Sequence, residues 1–426
     1  MYKERTKRNT FRDIAAILLF AIIFICVNPE WDIMIINYPL SNTLLLISFA
    51  ICIVFFPGKA NVFFRKDVLI FFAITSYIFL NSVLKDSPDS YKIFYRLLLF
   101  YQIIYLATIY NNFRGILKFF VAAVLVMVLV GCFEFVAGHT LYARIWQKGE
   151  RYTEIGTLAI GSTVASGNYI SLGLLPAIPI LFYLRRTATT YKVFFTLTIA
   201  FLIIFMIALF SRTGLLMLIA CLVLVFNINK INKVNGMAAF YIFMGLVTFY
   251  LYIVIRGGGY SAMFLEDMQK DKSLAYRAQV LFILGVSFLK DPLFGIGYHQ
   301  FKLTSLDLLR QYTGIKNDID TAPMNTYFGA IAELGLVGGV ILFFYYRYYV
   351  KLVFDVRLPF NLKTDKTKSA SMYLFISIFI IVLNSFIIDA LFNPTVVVVT
   401  ALIGISYQND INQTIVVVQQ QQPVEG

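Results

Sequence analysis

The chain has 426 residues, of which 59% are hydrophobic, 17% aromatic and only 14% charged, with a mean hydropathy of +0.77. A soluble domain carries roughly 25% charged and about 45–50% apolar residues, so this composition excludes a soluble globular enzyme, a disordered chain and a secreted disulfide scaffold. The net charge of +13 would suggest nucleic acid on a soluble protein. Here its meaning depends on where the charges sit relative to a bilayer, and no nucleic-acid partner is expected.

A membrane-spanning helix needs about 20 mostly apolar residues. Twelve runs approach that length: 13–28, 36–56, 67–84, 91–110, 115–137, 164–184, 192–210, 214–229, 236–255, 325–346, 370–389 and 394–408. Each run is continuously apolar rather than alternating, which predicts helices and not a barrel. The first run has no small-residue cleavage site after it and is expected to stay as a helix. With the N-terminus in the cytoplasm, twenty-one of the 36 basic residues fall on cytoplasmic segments, from Lys3, Arg5, Lys7, Arg8 and Arg12 to Lys363, Lys366 and Lys368. The short outer turns near 28–35 and 389–393 carry no basic residue. That alternation predicts an all-α integral membrane protein of about twelve transmembrane helices with both termini cytoplasmic.

Two outer segments are longer, 138–163 and 256–323. The second holds eight basic and seven acidic residues, so it is not a polybasic patch. Within it, 276–289 is apolar at helical spacing and predicts an amphipathic helix that lies on the membrane or caps a cavity. The expected organisation is nine helices over 1–255, the long outer loop over 256–323, and three helices over 324–408. A disordered cytoplasmic tail over 409–426 ends in Gln419–Gln422 and Pro423.

The four cysteines, Cys26, Cys52, Cys132 and Cys221, lie in apolar runs without CxxC spacing, which fits small buried hydrophobes. With His139 and His299 as the only histidines, a multi-histidine metal site is not available. No P-loop or GxGxxG is present, so no nucleotide-driven engine is encoded in this chain.

Charge in or beside hydrocarbon costs about 2.5–3.5 kcal/mol on insertion scales, which makes such residues functional candidates. Arg212 stands in Ser211-Arg212-Thr213-Gly214 between two apolar runs, at the expected outer face. It is either a snorkelling interfacial arginine or a fork for phosphate oxygens. Arg277 opens the amphipathic stretch and is either solvated or functional. Arg151, with Arg144 and Lys148, makes the other outer loop basic; followed by Gly167 and Asn168, it either lines a polar pocket or faces water. His299, in Pro292-Leu-Phe-Gly295-Ile-Gly297-Tyr298-His299, sits where the glycines predict a tight turn, and is a candidate general base or an ordinary loop histidine. Asp320 and Glu333 flank the start of the tenth run, with Asn325 between them. Glu333 is inside apolar sequence and needs a partner, structural or functional.

Taken in order, these motifs resemble a known superfamily. Ser211-Arg212-Thr213-Gly214 opens a helix, and a long outer loop carries Arg277 and Asp291-Pro292-Leu293-Phe294-Gly295-Ile296-Gly297. Then Pro323-Met324-Asn325 is followed after nine residues by Gly335-Leu336-Val337-Gly338. The pattern resembles the O-antigen ligase/polymerase superfamily of bacterial inner-membrane glycosyltransferases. The resemblance implies a GT-C-like membrane glycosyltransferase acting at the outer face on undecaprenyl-pyrophosphate-linked oligosaccharide. Membrane lipid, a chain-length regulator and a flippase are the further partners it implies, and it calls for no cofactor and no metal. In the mechanism expected on this reading, Arg212 and Arg277 clamp the pyrophosphate, one of Asp320, His299 and Glu333 assists the acceptor hydroxyl, and Ser211, Arg151, Asn168, Gly295, Gly297 and Asn325 contact substrate. In the ligase branch a histidine precedes the motif asparagine. Here that position is Met324, which cannot act as a base, and this favours an O-antigen, capsule or exopolysaccharide polymerase. A ligase acting on lipid A core, a transporter or flippase, and a non-catalytic assembly partner are the competing readings. Few mid-span charges and no matching halves weigh against transport.

Overall fold

The computed structural model describes residues 2–28, 34–35, 38–55, 62, 64–87, 90–137, 167–209, 212–231, 272–301, 304–305, 307–308, 326–353, 369–384 and 393–421. Its α-helices are α1 (Tyr2–Val27), α2 (Leu40–Phe55), α3 (Lys66–Leu84), α4 (Ser90–Tyr110), α5 (Phe113–Ala137) and α6 (Gly167–Thr187). They continue with α7 (Lys192–Ala208), α8 (Arg212–Phe226), α9 (Lys272–Lys290), α10 (Thr326–Val353), α11 (Ala370–Asn384) and α12 (Pro394–Gln421). Strand among the described residues is a two-residue hairpin, with Met34 opposite Pro39 and Ile35 opposite Tyr38. It occupies the start of the second apolar run, and the helix opens only after Pro39, whose missing N–H suits a helix entrance rather than its interior.

Helices thus coincide with eleven of the twelve apolar runs; the ninth, 236–255, lies outside the described residues. Among the described residues six helices are long and apolar enough to cross a membrane: Thr10–Val27, Lys66–Leu84, Lys92–Tyr110, Phe113–Phe133, Ile170–Thr187 and Tyr327–Leu352. The chain is a helical, multi-pass integral membrane protein in character. The amphipathic helix expected over 276–289 is α9. The tail is different: α12 runs on to Gln421, where the sequence reading has a disordered end after Tyr407. A nucleated helix propagates at one bond per residue, and no Gly or Pro interrupts the chain between Gly404 and Pro423.

Alternate helix ends meet, so the described helices run up and down. At one end Arg12 lies over the Tyr110 ring, Arg65 donates to the Gly404 carbonyl at 3.0 Å, and Lys66 lies over Tyr348. Arg65 also grips the buried Asp67 through two bonds, of 3.0 and 2.7 Å. At the other end the Thr395 hydroxyl donates to the Cys26 carbonyl at 3.1 Å, and Tyr327 donates to Val382 at 2.8 Å. Between them Ser48 donates to Gln102 across α2 and α4, and Ser377 of α11 donates to Pro176 of α6 at 3.0 Å. Apolar helices have no hydrophobic reason to associate in lipid, so packing and such buried hydrogen bonds set the register. Helix α6 is central: residues 170–184 are all buried, and it packs most extensively on α11.

The described residues form two apolar cores. The large one joins the bundle helices. The small one gathers Val280, Ile283, Leu284 and Phe288 of α9 with Phe301, Leu308 and, from α10, Phe328 and Ala332.

Helix α10 is broken at Gly335, with φ 68° and ψ −171°. Unbroken, the helix would bond the Leu336 and Val337 amides to the Ala332 and Glu333 carbonyls. Instead, the segment after α9 enters the gap. Leu336 N donates to Pro292 O at 2.9 Å and Val337 N to Leu293 O at 3.2 Å. Ile296 N donates to Ala332 O at 3.0 Å and Gly297 N to Glu333 O at 2.9 Å. The Leu334 carbonyl accepts from the Tyr77 hydroxyl at 2.8 Å. Two helical bonds are replaced by four bonds between the two segments plus a tyrosine, so the break leaves these groups satisfied as a low-dielectric setting demands.

Glycine is required on both sides of this joint. A Cβ on Gly335 would stand 2.2 Å from the Leu293 carbonyl oxygen, and one on Gly295 (φ +73°) would stand 2.3 Å from that of Glu333. The left-handed conformation alone costs an L-residue about 1–2 kcal/mol. Gly335→Ala and Gly295→Ala are therefore expected to lose more than about 2 kcal/mol of stability. Gly339→Ala, whose Cβ would meet only Ile331 Cγ1 at 3.6 Å, is expected to stay within about 0.5 kcal/mol of wild type. Thermal unfolding in detergent checks this, and equal midpoints for all three variants would refute the joint.

Candidate functional site

The turn that enters the α10 break is built by Asp291. Its Oδ1 accepts from Phe294 N at 3.2 Å and its carbonyl from Gly295 N at 2.8 Å, an arrangement that short acidic side chains favour. Gly297 follows with φ +109°, and a Cβ there would stand 2.7 Å from Lys85 Cβ. Both glycines of the predicted tight turn thus have positive φ, and close approach of protein backbone or side chain accounts for them.

The turn is tied to the end of α3. Asn81 Nδ2 donates to the Phe294 carbonyl at 2.7 Å. Lys85 Nζ meets Asp291 Oδ2 at 2.6 Å. The Ser87 hydroxyl donates to the Tyr298 carbonyl at 2.6 Å, and Gln300 Nε2 donates to the carbonyls of Lys85 and Asp86 at 3.0 and 3.2 Å.

His299 is held between these ties. Its φ of 61° is left-handed, an uncommon setting for a residue with a Cβ. The ring is half-buried and stands edge-on to Tyr298 with centroids 4.4 Å apart. Glu333, buried in α10, has a partner as its position requires: its Oε1 accepts from the Phe301 amide at 3.2 Å. Its carbonyl accepts from Gly297 N, so one short segment binds both side chain and backbone of Glu333. The structure therefore brings Gly295, Gly297, His299 and Glu333 together at the junction of α3, α9 and α10.

The remaining expected residues are placed less fully. Arg212 is the first residue of α8, Arg277 lies in α9 and Asn168 in the first turn of α6. Arg151, Ser211, Asp320 and Asn325 lie outside the described residues. Among the described residues no three His, Cys, Asp or Glu side chains group as metal ligands.

Comparison with known families adds one finding. Residues 197–343 match the family model described as O-antigen ligase. The match, roughly a third of the chain, bears out the resemblance to the O-antigen ligase/polymerase superfamily. The matched region runs from α7 into α10 and contains Arg212, Arg277, the turn at 291–300 and the Gly335 break. No curated protein matches the chain.

The sequence reading passed over Tyr77, Asn81, Lys85, Ser87 and Gln300. A signal was available: Tyr77, Asn81 and Lys85 recur every four residues, one stripe of an otherwise apolar helix.

Asp291 carries a pH prediction. The hydrogen bond from Lys85 holds its carboxyl below the usual range, helped by the Phe294 amide. A depressed carboxyl adds stability that is present above the ordinary carboxylate value and lost as pH falls through the lower folded value. Hydrogen exchange of 291–301 is therefore expected to be flat from neutral pH to about pH 4 and to accelerate, after correction for intrinsic rates, only below it. Asp291→Asn should exchange faster at neutral pH and lose that step; an unchanged step in the variant would remove the carboxylate from the account.

Proposed function

We propose that the chain is a polysaccharide polymerase of the bacterial inner membrane, with about twelve spanning helices, a GT-C-like architecture and both termini in the cytoplasm. It joins undecaprenyl-pyrophosphate-linked oligosaccharide repeat units at the outer face, making O-antigen, capsule or exopolysaccharide. The observation that carries this reading is the family match over 197–343, which contains both motif arginines and the glycine joint.

In the proposed reaction a hydroxyl of one lipid-linked repeat unit attacks the anomeric carbon of another. The new glycosidic C–O bond forms as the bond to pyrophosphate breaks, and undecaprenyl pyrophosphate leaves with the electron pair. Arg212 and Arg277 balance the charge on the leaving pyrophosphate, where fixed donors act without a proton transfer. The hydroxyl proton passes to a base among His299, Glu333 and Asp320. Of these, His299 is half-buried in a left-handed backbone, the kind of constrained placement that collects at functional sites. Glu333 accepts a backbone hydrogen bond. Ser211, Arg151, Asn168 and Asn325 belong to the substrate surface. Gly295 and Gly297 serve it by shaping the turn. A chain-length regulator and a flippase are the expected companions.

Met324 at the position before the motif asparagine favours joining repeat units over ligation. The ligase reading has the family's own description in its favour, and one experiment separates the two. A strain lacking the chain is expected to show single repeat units on carrier or anchor, by gel and by mass spectrometry of lipid-linked intermediates. Long polymer stalled on the carrier would instead make the chain a ligase, and an unchanged profile would reject both. In the complemented strain, Arg212→Lys and Arg277→Lys are each expected to cut polymer by about 100-fold or more, because a lysine keeps the charge but not the fork. Wild-type polymer from both variants would remove the clamp.

A further inference from the structure

Helix α9, the turn at 291–300 and the outer part of α10 are built around the small core, apart from the core of the bundle. What fastens this unit to the bundle is concentrated on α3 and the turn after it. Tyr77 and Asn81 of α3 and Lys85, the residue that caps its C-terminal end, stand at i, i+4 and i+8, so they share one face of the helix. Each meets a different part of the unit: the Leu334 carbonyl at the α10 break, the Phe294 carbonyl in the turn, and the Asp291 carboxylate at its start. Ser87 and Gln300 continue the line beyond the end of α3. A second tie, from Tyr327 to Val382, holds the start of α10 to α11.

Asn81 is buried, with 5% of its surface exposed, and Lys85 and Asp291 are each about one-third exposed in their side chains. The outermost pair is therefore a wet ion pair, and the inner contacts are drier. An ion pair of this kind contributes little to stability. It can nevertheless fix where a cap stands, because a like charge placed opposite repels.

We infer that this face of α3 is a positioning element: through Tyr77, Asn81 and Lys85 it sets where α9, and Arg277 with it, stands over the bundle. The inference rests on the proposed polymerase reading for its functional half. Its structural half is independent, because the position of α9 is measurable without substrate. A displacement of about 1 Å at a reacting centre costs up to about 100-fold in rate, so a modest shift of the cap suffices to lower turnover.

The test uses full-length protein in lipid nanodiscs with the native cysteines replaced and spin labels on the exposed Leu84→Cys and Leu289→Cys, at the ends of α3 and α9. Wild type is expected to give one narrow interspin distance. Lys85→Asp is expected to broaden or shift it, and Lys85→Asp with Asp291→Lys to restore it. Ser87→Ala, a milder change, is expected to broaden it partially. With membranes carrying the host's own lipid-linked repeat unit as substrate, Lys85→Asp should lower kcat about 10-fold or more, leave KM within about 2-fold, and recover in the swap. A distance unchanged in Lys85→Asp and Ser87→Ala overturns the anchor whatever the glycan does. A distance that moves and recovers while kcat stays constant overturns the positioning role. Failure of the polymerase reading shows separately, as polymer that persists when the whole chain is absent.

Discussion

A helix that breaks inside a membrane protein frees backbone amides and carbonyls that no water is at hand to satisfy, and the architecture around α10 follows from that constraint. Gly335 opens the break, and the segment 292–297 fills it with the matching donors and acceptors. Because those bonds are backbone to backbone, their geometry admits glycine alone where the two segments cross, at Gly295 and Gly335. The turn then has one place to stand, and that fixes α9 before it, His299 after it and Glu333 beneath it. The side-chain ties to α3 act on a unit whose own shape is already settled.

This arrangement gathers the polar side chains Tyr77, Asn81, Lys85 and Ser87 at one junction. Elsewhere in the bundle, polar side chains join helices singly, as Ser48 with Gln102 or Arg65 with the Gly404 carbonyl. At the α3–α9–α10 junction several of them, Asn81, Lys85 and Ser87, bind one short segment. The segment 272–301 thereby becomes part of the folded body, sharing a small core with α10.

Much of the fold was legible because apolar run length is a direct consequence of bilayer thickness. The helix over 276–289 was legible from its period, and the turn from Gly295 and Gly297. The pairing of Gly295 with Gly335 was not, since nothing in either motif says that one is the other's neighbour; both were read as separate pieces of a resemblance. Glu333 announced its need for a partner, but a backbone amide such as that of Phe301 leaves no side-chain signature. Asn81 and Lys85 were hidden for a different reason: near the end of an apolar run, polar residues look like the beginning of a loop. Helix α12 outran its expected end because a low-complexity composition without glycine or proline does not forbid helix.

The distance in sequence across the Lys85–Asp291 contact, 206 residues, has a consequence for biogenesis. Asn81 and Lys85 leave the ribosome and enter the bilayer long before the turn that meets them exists. At about 5–20 residues per second the wait is on the order of 10–40 s. During that interval the polar stripe of α3 has no Phe294 or Asp291 to bind, so the insertion machinery, a neighbouring helix or the headgroup region must shelter it. The fold is then completed late, when the turn at 291–300 closes onto a helix laid down among the first.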